Sequence, residues 1–303
     1  MQKEDLAQSL LMLSDALEAL AKSLQQQKQA DAEGRVKEFS LLVKKFTKAV
    51  QPHAATADAA LRAEVRKKHH KNFLIGYLQQ RYIIAHSSIN HLHVDEYLRQ
   101  CARFLTQHYT HLRYFYRQLK SSISANRNLV FNPRGNSLQY IQKWCTMLQQ
   151  HKLIDGFVQL RQGEIAVDIS EIHQARLFIL GTWLEVLLRS EVASWMRQHI
   201  HRLQNFDILS QVQIIKPDGK KSELDLLLML NGKVYWFECK SNMPAGYYTR
   251  FAEHRAVMQL PAEQSFLLIP EQNDQVAVEV ISRCGMSVLT ANNLAAQLQS
   301  LFG

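Results

Sequence analysis

Asp225, Glu238 and Lys240 are the residues of this 303-residue chain whose types and spacing suit a reaction. Asp225 lies within Ser222-Glu223-Leu224-Asp225-Leu226, and Glu238 and Lys240 close the run Tyr235-Trp236-Phe237-Glu238-Cys239-Lys240. Between the two runs stands Asn231-Gly232, a two-residue hairpin signal, and pairing about that turn sets residue 225 opposite residue 238. Side chains alternate along a strand, so Glu238 and Lys240 share a face, Asp225 and Glu223 obey the same parity, and Phe237 and Cys239 point the other way. Three carboxylates and a lysine amid Val, Leu, Tyr and Trp are costly on a strand that binds nothing. Carboxylate oxygens hold a hard divalent cation, and a lysine supplies positive charge beside a phosphate, the needs of phosphodiester hydrolysis without a covalent intermediate. The competing reading is a solvated outer face with salt bridges. The apolar flanks Leu226-Leu227-Leu228 and Val234-Tyr235-Trp236-Phe237 argue against such an edge position.

These residues need elements to hold them, and the pattern from Ser170 onward supplies them. A helix is expected over about 172 to 200, carrying Ile172, Phe178, Leu184, Leu188 and Trp195, then strands over about 207 to 215, 222 to 230 and 233 to 239. Pro217-Asp218-Gly219 marks the first connector as a turn. A helix over about 247 to 259, an apolar strand at Ser265 to Ile269, a helix near 275 to 283, a short strand at Ser287 to Leu289 and a last helix at 291 to 301 complete the chain. The order is αβββαβ, and the helix crossing between the third and fourth strands implies a mixed sheet.

Glu223-Leu224-Asp225 followed by Glu238-Cys239-Lys240 resembles motifs II and III of the PD-(D/E)xK (restriction-endonuclease-like) nuclease superfamily. With the upstream helix segment Gly181-Thr182-Trp183-Leu184-Glu185, residues from about 150 to 303, including Leu153-Ile154, resemble the nuclease domain of ancillary CRISPR effectors that couple a CARF sensor to a restriction-like domain. The resemblance implies a divalent-metal-dependent nuclease using Mg2+ or Mn2+, with DNA favoured as substrate and RNA open, and a role in defence against foreign nucleic acid. Position by position, it implies Asp225 as principal metal ligand, Glu238 as second, Glu185 as a helix-borne acid that helps hold metal or its water, and Lys240 as the group that orients the nucleophile and stabilises phosphorane charge. Glu223 is an auxiliary ligand or a neighbour of Lys240. Tyr247, Tyr248 and Arg250 follow the motif closely and are candidates for phosphate or nucleotide contact, with packing and solvation as equal alternatives. The alternative from another class is a nucleic-acid-binding or adaptor protein with a catalytically silent nuclease fold.

The rest of the chain reads as an α+β protein whose N-terminal part, residues 1 to 125, is an all-α helical bundle. Leu6, Leu10, Leu13, Leu17, Leu20 and Leu24 line one helix face; Phe39, Val43, Phe46 and Val50 line a second; further helices are expected at about 57 to 90 and 94 to 121. Residues 1 to 125 hold 19 Lys+Arg against 11 Asp+Glu, whereas residues 171 to 303 hold 12 against 13. Such an excess attracts a polyanion, and Arg66, Lys67, Lys68 and Lys71 form its densest patch. The CARF sensor is a Rossmann-like βα domain, and no strand or Gly-rich phosphate loop is expected in residues 1 to 125, so activation by a cyclic oligonucleotide does not carry over. That half is left with homodimerisation, a protein partner, a substrate grip or the sensing of some other signal.

Residues 126 to 170 read as a connector: a loop from Ser121 to Asn136, a helix through Leu138, Ile141, Trp144, Cys145 and Leu148, and a hairpin about Gln162-Gly163. The helix and hairpin are those of the end of a winged helix, or of a small connector packed on the domain of residues 171 to 303. Cys101, Cys145, Cys239 and Cys284 lie far apart, which predicts reduced thiols. His69-His70, His91-x-His93, His108 with His111, and His199-x-His201 lack the companions a zinc site needs. No run is apolar and long enough to span a membrane, and the first helix carries Lys3, Glu4, Asp5, Asp15 and Glu18 where a signal peptide is apolar, so a cytoplasmic protein is expected.

Overall fold

Asn231 and Gly232 both take positive φ, 49° and 82°, the backbone of a type I′ turn, whose twist matches that of the strands it joins. They connect the strands Lys221–Leu230 and Lys233–Cys239. The computed structural model describes residues 73–89, 94–133, 135–160, 163–203, 205–216, 218–243 and 246–303. The chain divides into two compact units, Met1–Ala63 and Glu64–Gly303, and every described residue belongs to the second. The leucine-lined helices expected before residue 51 and the basic patch of Arg66, Lys67, Lys68 and Lys71 lie outside the described residues.

In chain order the elements are α1 (Phe73–Gln79), β1 (Ile83–Ile89), α2 (Glu96–Gln107), α3 (Tyr109–Ser124), β2 (Leu129–Phe131), α4 (Leu138–Gln150), β3 (Ile154–Gln159), β4 (Ile165–Ile169), α5 (His173–Leu177), α6 (Trp183–His199), β5 (Phe206–Ile215), β6 (Lys221–Leu230), β7 (Lys233–Cys239), α7 (Gly246–Met258), β8 (Ser265–Ile269), α8 (Asp274–Cys284), β9 (Ser287–Thr290) and α9 (Leu294–Phe302). The large sheet runs β1-β5-β6-β7-β8-β9. Its first four strands are antiparallel neighbours, and β7, β8 and β9 are parallel. The fold is therefore α+β with a mixed sheet, and α7 makes the crossover that parallel pairing of β7 and β8 requires.

From Leu226 onward β6 is apolar, and β8 is apolar after Ser265, as strands covered on both faces must be. On one side Leu224, Leu227 and Trp236 pack with Leu74 and Leu78 of α1, Phe251 and Met258 of α7, and Val280 of α8. On the other, Phe237 stacks on Phe266 (5.1 Å between centroids), and Phe302 of α9 sits edge-on to both Phe237 and Trp195 of α6.

Four expectations are corrected. Helix over 57 to 90 gives way, from Ile83, to an edge strand paired with β5, so the segment before residue 125 does contain a strand. Ile83-Ile84 is β-branched, a preference that edge pairing realises and that the helical period on either side obscures. Helices α2 and α3 are not part of a separate N-terminal bundle; they pack on the elements that follow, with Trp144 Nε1 donating to Cys101 O (3.2 Å) and Trp183 Nε1 donating to the Tyr116 hydroxyl (2.9 Å). The expected loop from Ser121 to Asn136 holds β2, whose Leu-Val-Phe pairs with β4 and completes a second sheet of order β2-β4-β3. Three residues are too short for alternation to register. The helix expected at 172 to 200 breaks at Gly181, whose backbone is non-helical, leaving a π-turn over Phe178–Thr182 between α5 and α6. All four cysteines are free and buried.

His254 ties β1's approach to the sheet: Tyr82 Oη lies 3.0 Å from Nδ1, and Ser222 Oγ lies 3.0 Å from Nε2. Burial, with the charges of Lys216 and Arg250 and against that of Glu253, pulls its pKa down to about 4. The unfolded chain therefore binds an extra proton between pH 4 and the ordinary histidine value near 6.5, and stability rises with pH across that window. Acidification from pH 6.5 to 4 is expected to remove up to about 3 kcal/mol through this group. Urea midpoints across the window should slope steeply in the native chain and flatten in His254→Gln; equal slopes would rule the residue out as the cause.

Candidate active site

Register brings the expected residues together. The β6–β7 ladder runs from Leu230 opposite Lys233 to Leu226 opposite Phe237, so Asp225 and Glu238 come next, at the point where β7 ends. Both are buried, at 5% and 1% exposure. Cys239 N donates to Asp225 Oδ2 at 2.7 Å, and Trp236 Nε1 donates to Glu238 Oε1 at 3.2 Å. Each carboxylate thus has one oxygen fixed by a group that cannot move without moving the sheet.

Lys240 completes the set. Its Nζ donates to Asp225 Oδ2 (3.2 Å) and Glu238 Oε2 (3.1 Å), and its own N–H donates to Leu268 O (3.0 Å), carrying the parallel pairing one residue beyond β7. Burial pulls the ammonium pKa down, but the two carboxylates outweigh it and hold the group well above the ordinary lysine value. It is a fixed cation, not a proton acceptor. Tyr247 and Phe251 of α7 lie under it, with ring centroids 5.7 and 5.8 Å from Nζ.

Glu185 arrives from the first turn of α6, just past the Gly181 break. Burial and the charge of Asp225 raise its pKa, with Glu223 adding and Lys240 opposing. Burial and Asp225 raise that of Glu238 in the same way, against Lys240 and Arg250. Mutual repulsion among buried carboxylates is the signature of a site that gains from added positive charge. Hard oxygens from Asp225, Glu238 and Glu185 are the donor set a Mg2+-type cation takes, and in that sense the residues fit. No three His, Cys, Asp or Glu side chains among the described residues form a ready-made cage; Lys240 is the ion bound between Asp225 and Glu238. Glu223 is exposed at the rim, its pKa raised by burial of its carboxylate and by Asp225, and it hydrogen-bonds Gln213 across the β5–β6 ladder.

Gln211 was not foreseen. It interrupts β5 between Ser210 and Val212, adopts φ 52°, and donates from Nε2 to Glu185 Oε2 at 3.1 Å. The β1–β5 pairing shifts register opposite this point, between His86 and Ser88, while the β5–β6 register is unchanged, so the left-handed residue marks a one-sided bulge that re-aims its side chain. The polar run Ser210-Gln211-Val212-Gln213 is the only trace of it in the sequence. Gln211→Gly should remain more stable than Gln211→Ala by about 1 kcal/mol, because only glycine adopts this backbone without cost; thermal denaturation of the pair measures it, and the opposite ranking would refute a strained bulge.

Of the residues expected to contact nucleic acid, Arg250 lies near the site, its guanidinium 4.5 Å from the Tyr247 ring centroid and its charge felt by Glu238. Tyr248 does not line the site. It is 4% exposed, on the far side of α7, where its hydroxyl hydrogen-bonds Glu279 and its ring faces Arg283 of α8; the helical period that puts 247 and 251 toward Lys240 turns 248 into the α7–α8 seam. The described histidines expected to be ordinary helix residues include His111, stacked on Tyr140, and His199, bonded to the Trp195 carbonyl.

No protein-family profile matches the chain, and no curated protein does. Among solved structures, protein VC1899 from Vibrio cholerae is similar over 71% of this chain with a TM-score of 0.50 and 17% identity. Can2 from Sulfobacillus thermosulfidooxidans, solved in complex with cyclic tetra-adenylate, is similar over 69% with a TM-score of 0.51 and 17% identity. At that identity the likeness is one of fold. The chain accounts for 58% of the length of VC1899 and 57% of that of Can2.

Proposed function

We propose that this chain is a divalent-metal-dependent nuclease of PD-(D/E)xK type that hydrolyses phosphodiester bonds in DNA, with RNA open, in defence against foreign nucleic acid. The observation that carries the reading is the bridging of Asp225 and Glu238 by Lys240 on adjacent central strands, with Glu185 entering from α6. The likeness of fold to Can2 supports it. The defence role rests on that likeness and on the motif resemblance.

In this reading Asp225, Glu238 and Glu185 would hold Mg2+ or Mn2+, which would supply Lewis-acid charge at the phosphate and a more acidic water. The protein's own share is positional. Cys239 N and Trp236 Nε1 fix the inner carboxylates, Gln211 orients Glu185, and Lys240 gives up its contact with the carboxylates to place its ammonium beside the charge that develops on the phosphorane. The described helices include none long and apolar enough to cross a membrane, and we place the protein in the cytoplasm. The excess of 19 Lys+Arg over 11 Asp+Glu in residues 1 to 125 would attract nucleic acid, and a homodimer or a protein partner would engage that part.

Incubation of the protein with single- and double-stranded DNA and RNA across Mg2+, Mn2+, Ca2+ and EDTA tests the proposal. Cleavage with Mg2+ or Mn2+, and none with EDTA, is the expected result. A second reading, a nucleic-acid binder with a silent fold, has in its favour that Lys240 already neutralises Asp225 and Glu238. Tight binding without cleavage in every metal would select it.

A further inference from the structure

Helix α3 forms a wall beside Lys240 and brings cations to it. A cleft of about 130 Å³ is lined by Tyr109 and Arg117 of α3, by Lys240, Ser241 and Asn242 at the end of β7, and by Glu271 after β8. It opens beyond the C-terminal ends of the parallel strands β7 and β8, where open sheets place their ligands. Residues 109, 113, 117 and 120 fall on one stripe of α3, since side chains three and four apart share a helix face. The stripe therefore presents Arg113, Arg117 and Lys120 together.

The charges on that stripe are unequally matched. Arg113 has Glu271, at 3.4 Å. Lys120 donates to Ser241 Oγ at 2.6 Å and lies 5.5 Å from the Tyr116 ring centroid, and both partners are neutral. Burial lowers the pKa of its ammonium, with no carboxylate acting to restore it. Arg117 is exposed in the cleft and pairs with no carboxylate among the described residues. A half-buried ammonium facing only neutral groups is costly until an anion joins it.

Ser241 makes this arrangement specific to the site. It follows Lys240 directly, accepts from Lys120, and hydrogen-bonds the Tyr116 hydroxyl, which in turn accepts from Trp183 at the start of α6 two residues before Glu185. One network thus joins α3 to both elements that carry the candidate site. An anion held at Arg117 and Lys120 would lie beside Lys240.

We infer that Arg117 and Lys120 form a phosphate-binding subsite on α3 that holds the backbone of a nucleic-acid strand next to the phosphate at Lys240. The inference rests on reading Asp225, Glu238 and Lys240 as a phosphodiester-cleaving site. Phosphate neutralisation releases counterions, so removing two contacts should flatten the dependence of log affinity on log salt by about 1.4 for a single strand.

The test uses the full chain and a fluorescein-labelled 20-nucleotide single-stranded DNA, with anisotropy titrations in Ca2+ at several salt concentrations and cleavage rates in Mg2+. Arg117→Gln, at an exposed position, should weaken binding about tenfold at moderate salt and raise KM while leaving the saturated rate near that of the native chain. Lys120→Gln should behave alike, Lys120→Arg should restore affinity, and the double variant should show the reduced salt slope. Native-like affinity and slope in Arg117→Gln and the double variant, with the native chain binding and cleaving, would overturn the subsite and leave the nuclease reading intact. The reduced slope in a chain that binds this strand but cleaves neither DNA nor RNA, single or double, in any metal would uphold the subsite and refute the nuclease reading. No binding of the strand by the native chain would overturn the subsite.

Discussion

Asp225→Asn is expected to reduce metal-dependent cleavage by at least about a thousandfold, on the scale of losing a central electrostatic element of a preorganised site. The substitution keeps the shape of the side chain and an oxygen able to accept from Cys239 N, which now holds Asp225 Oδ2 at 2.7 Å. It removes the charge that raises the pKa of Glu185 and of Glu238. Thermal stability should therefore hold or rise while activity falls, the exchange expected where a functional site concentrates like charge. Melting curves beside single-turnover cleavage rates check both parts. Retained cleavage would remove Asp225 from the site, and a large drop in melting temperature would show the carboxylate to be structural.

Lys240→Met is expected to act in the opposite sense on stability. The ammonium bridges Asp225 and Glu238, and taking one partner from a buried ion group typically costs about 3 to 5 kcal/mol because uncompensated charge stays behind. Glu238, already raised, should then be protonated at higher pH still, so the loss of stability grows as pH increases. Added Mg2+ should restore more stability to this variant than to the native chain, by mass action on the folded state. Cleavage should fall by a factor of about a hundred or more. Equal stabilisation of the two chains by Mg2+ would count against a cation site formed by these carboxylates.

Strand pairing explains how far the sequence discloses the site. A two-residue turn and a period of two leave almost no freedom in which residues meet, so the neighbourhood of Asp225, Glu238 and Lys240 follows from counting along β6 and β7. Glu185 is harder to read, because its approach depends on the break at Gly181 and the π-turn before it, features with no sharp signal in a helical pattern. Gln211 is harder again, since a bulge is a departure from periodicity. The least legible element is β1: its seven residues are flanked by helical patterns, and what makes them a strand is the exposed edge of β5, whose residues lie far away in the chain. Tyr248 takes the packing alternative, since nearness to the motif in sequence is not nearness in space when one step along a helix turns a side chain by roughly a quarter of a circle.

The pairing of Ile83 with Ile215 has a consequence for how the protein is made. A ribosome adding about 5 to 20 residues each second releases β1 on the order of ten seconds before the strand it must pair with exists. During that interval a strand with two free edges and an Ile-Ile start stands without its neighbour, a natural substrate for chaperones and a seed for association between nascent chains. The long-range closure is also slow in refolding from denaturant, because loop closure must precede the contacts that reward it. This edge strand is thus the first strand of its sheet to be made, and yield in expression is expected to depend on it as much as on the buried centre.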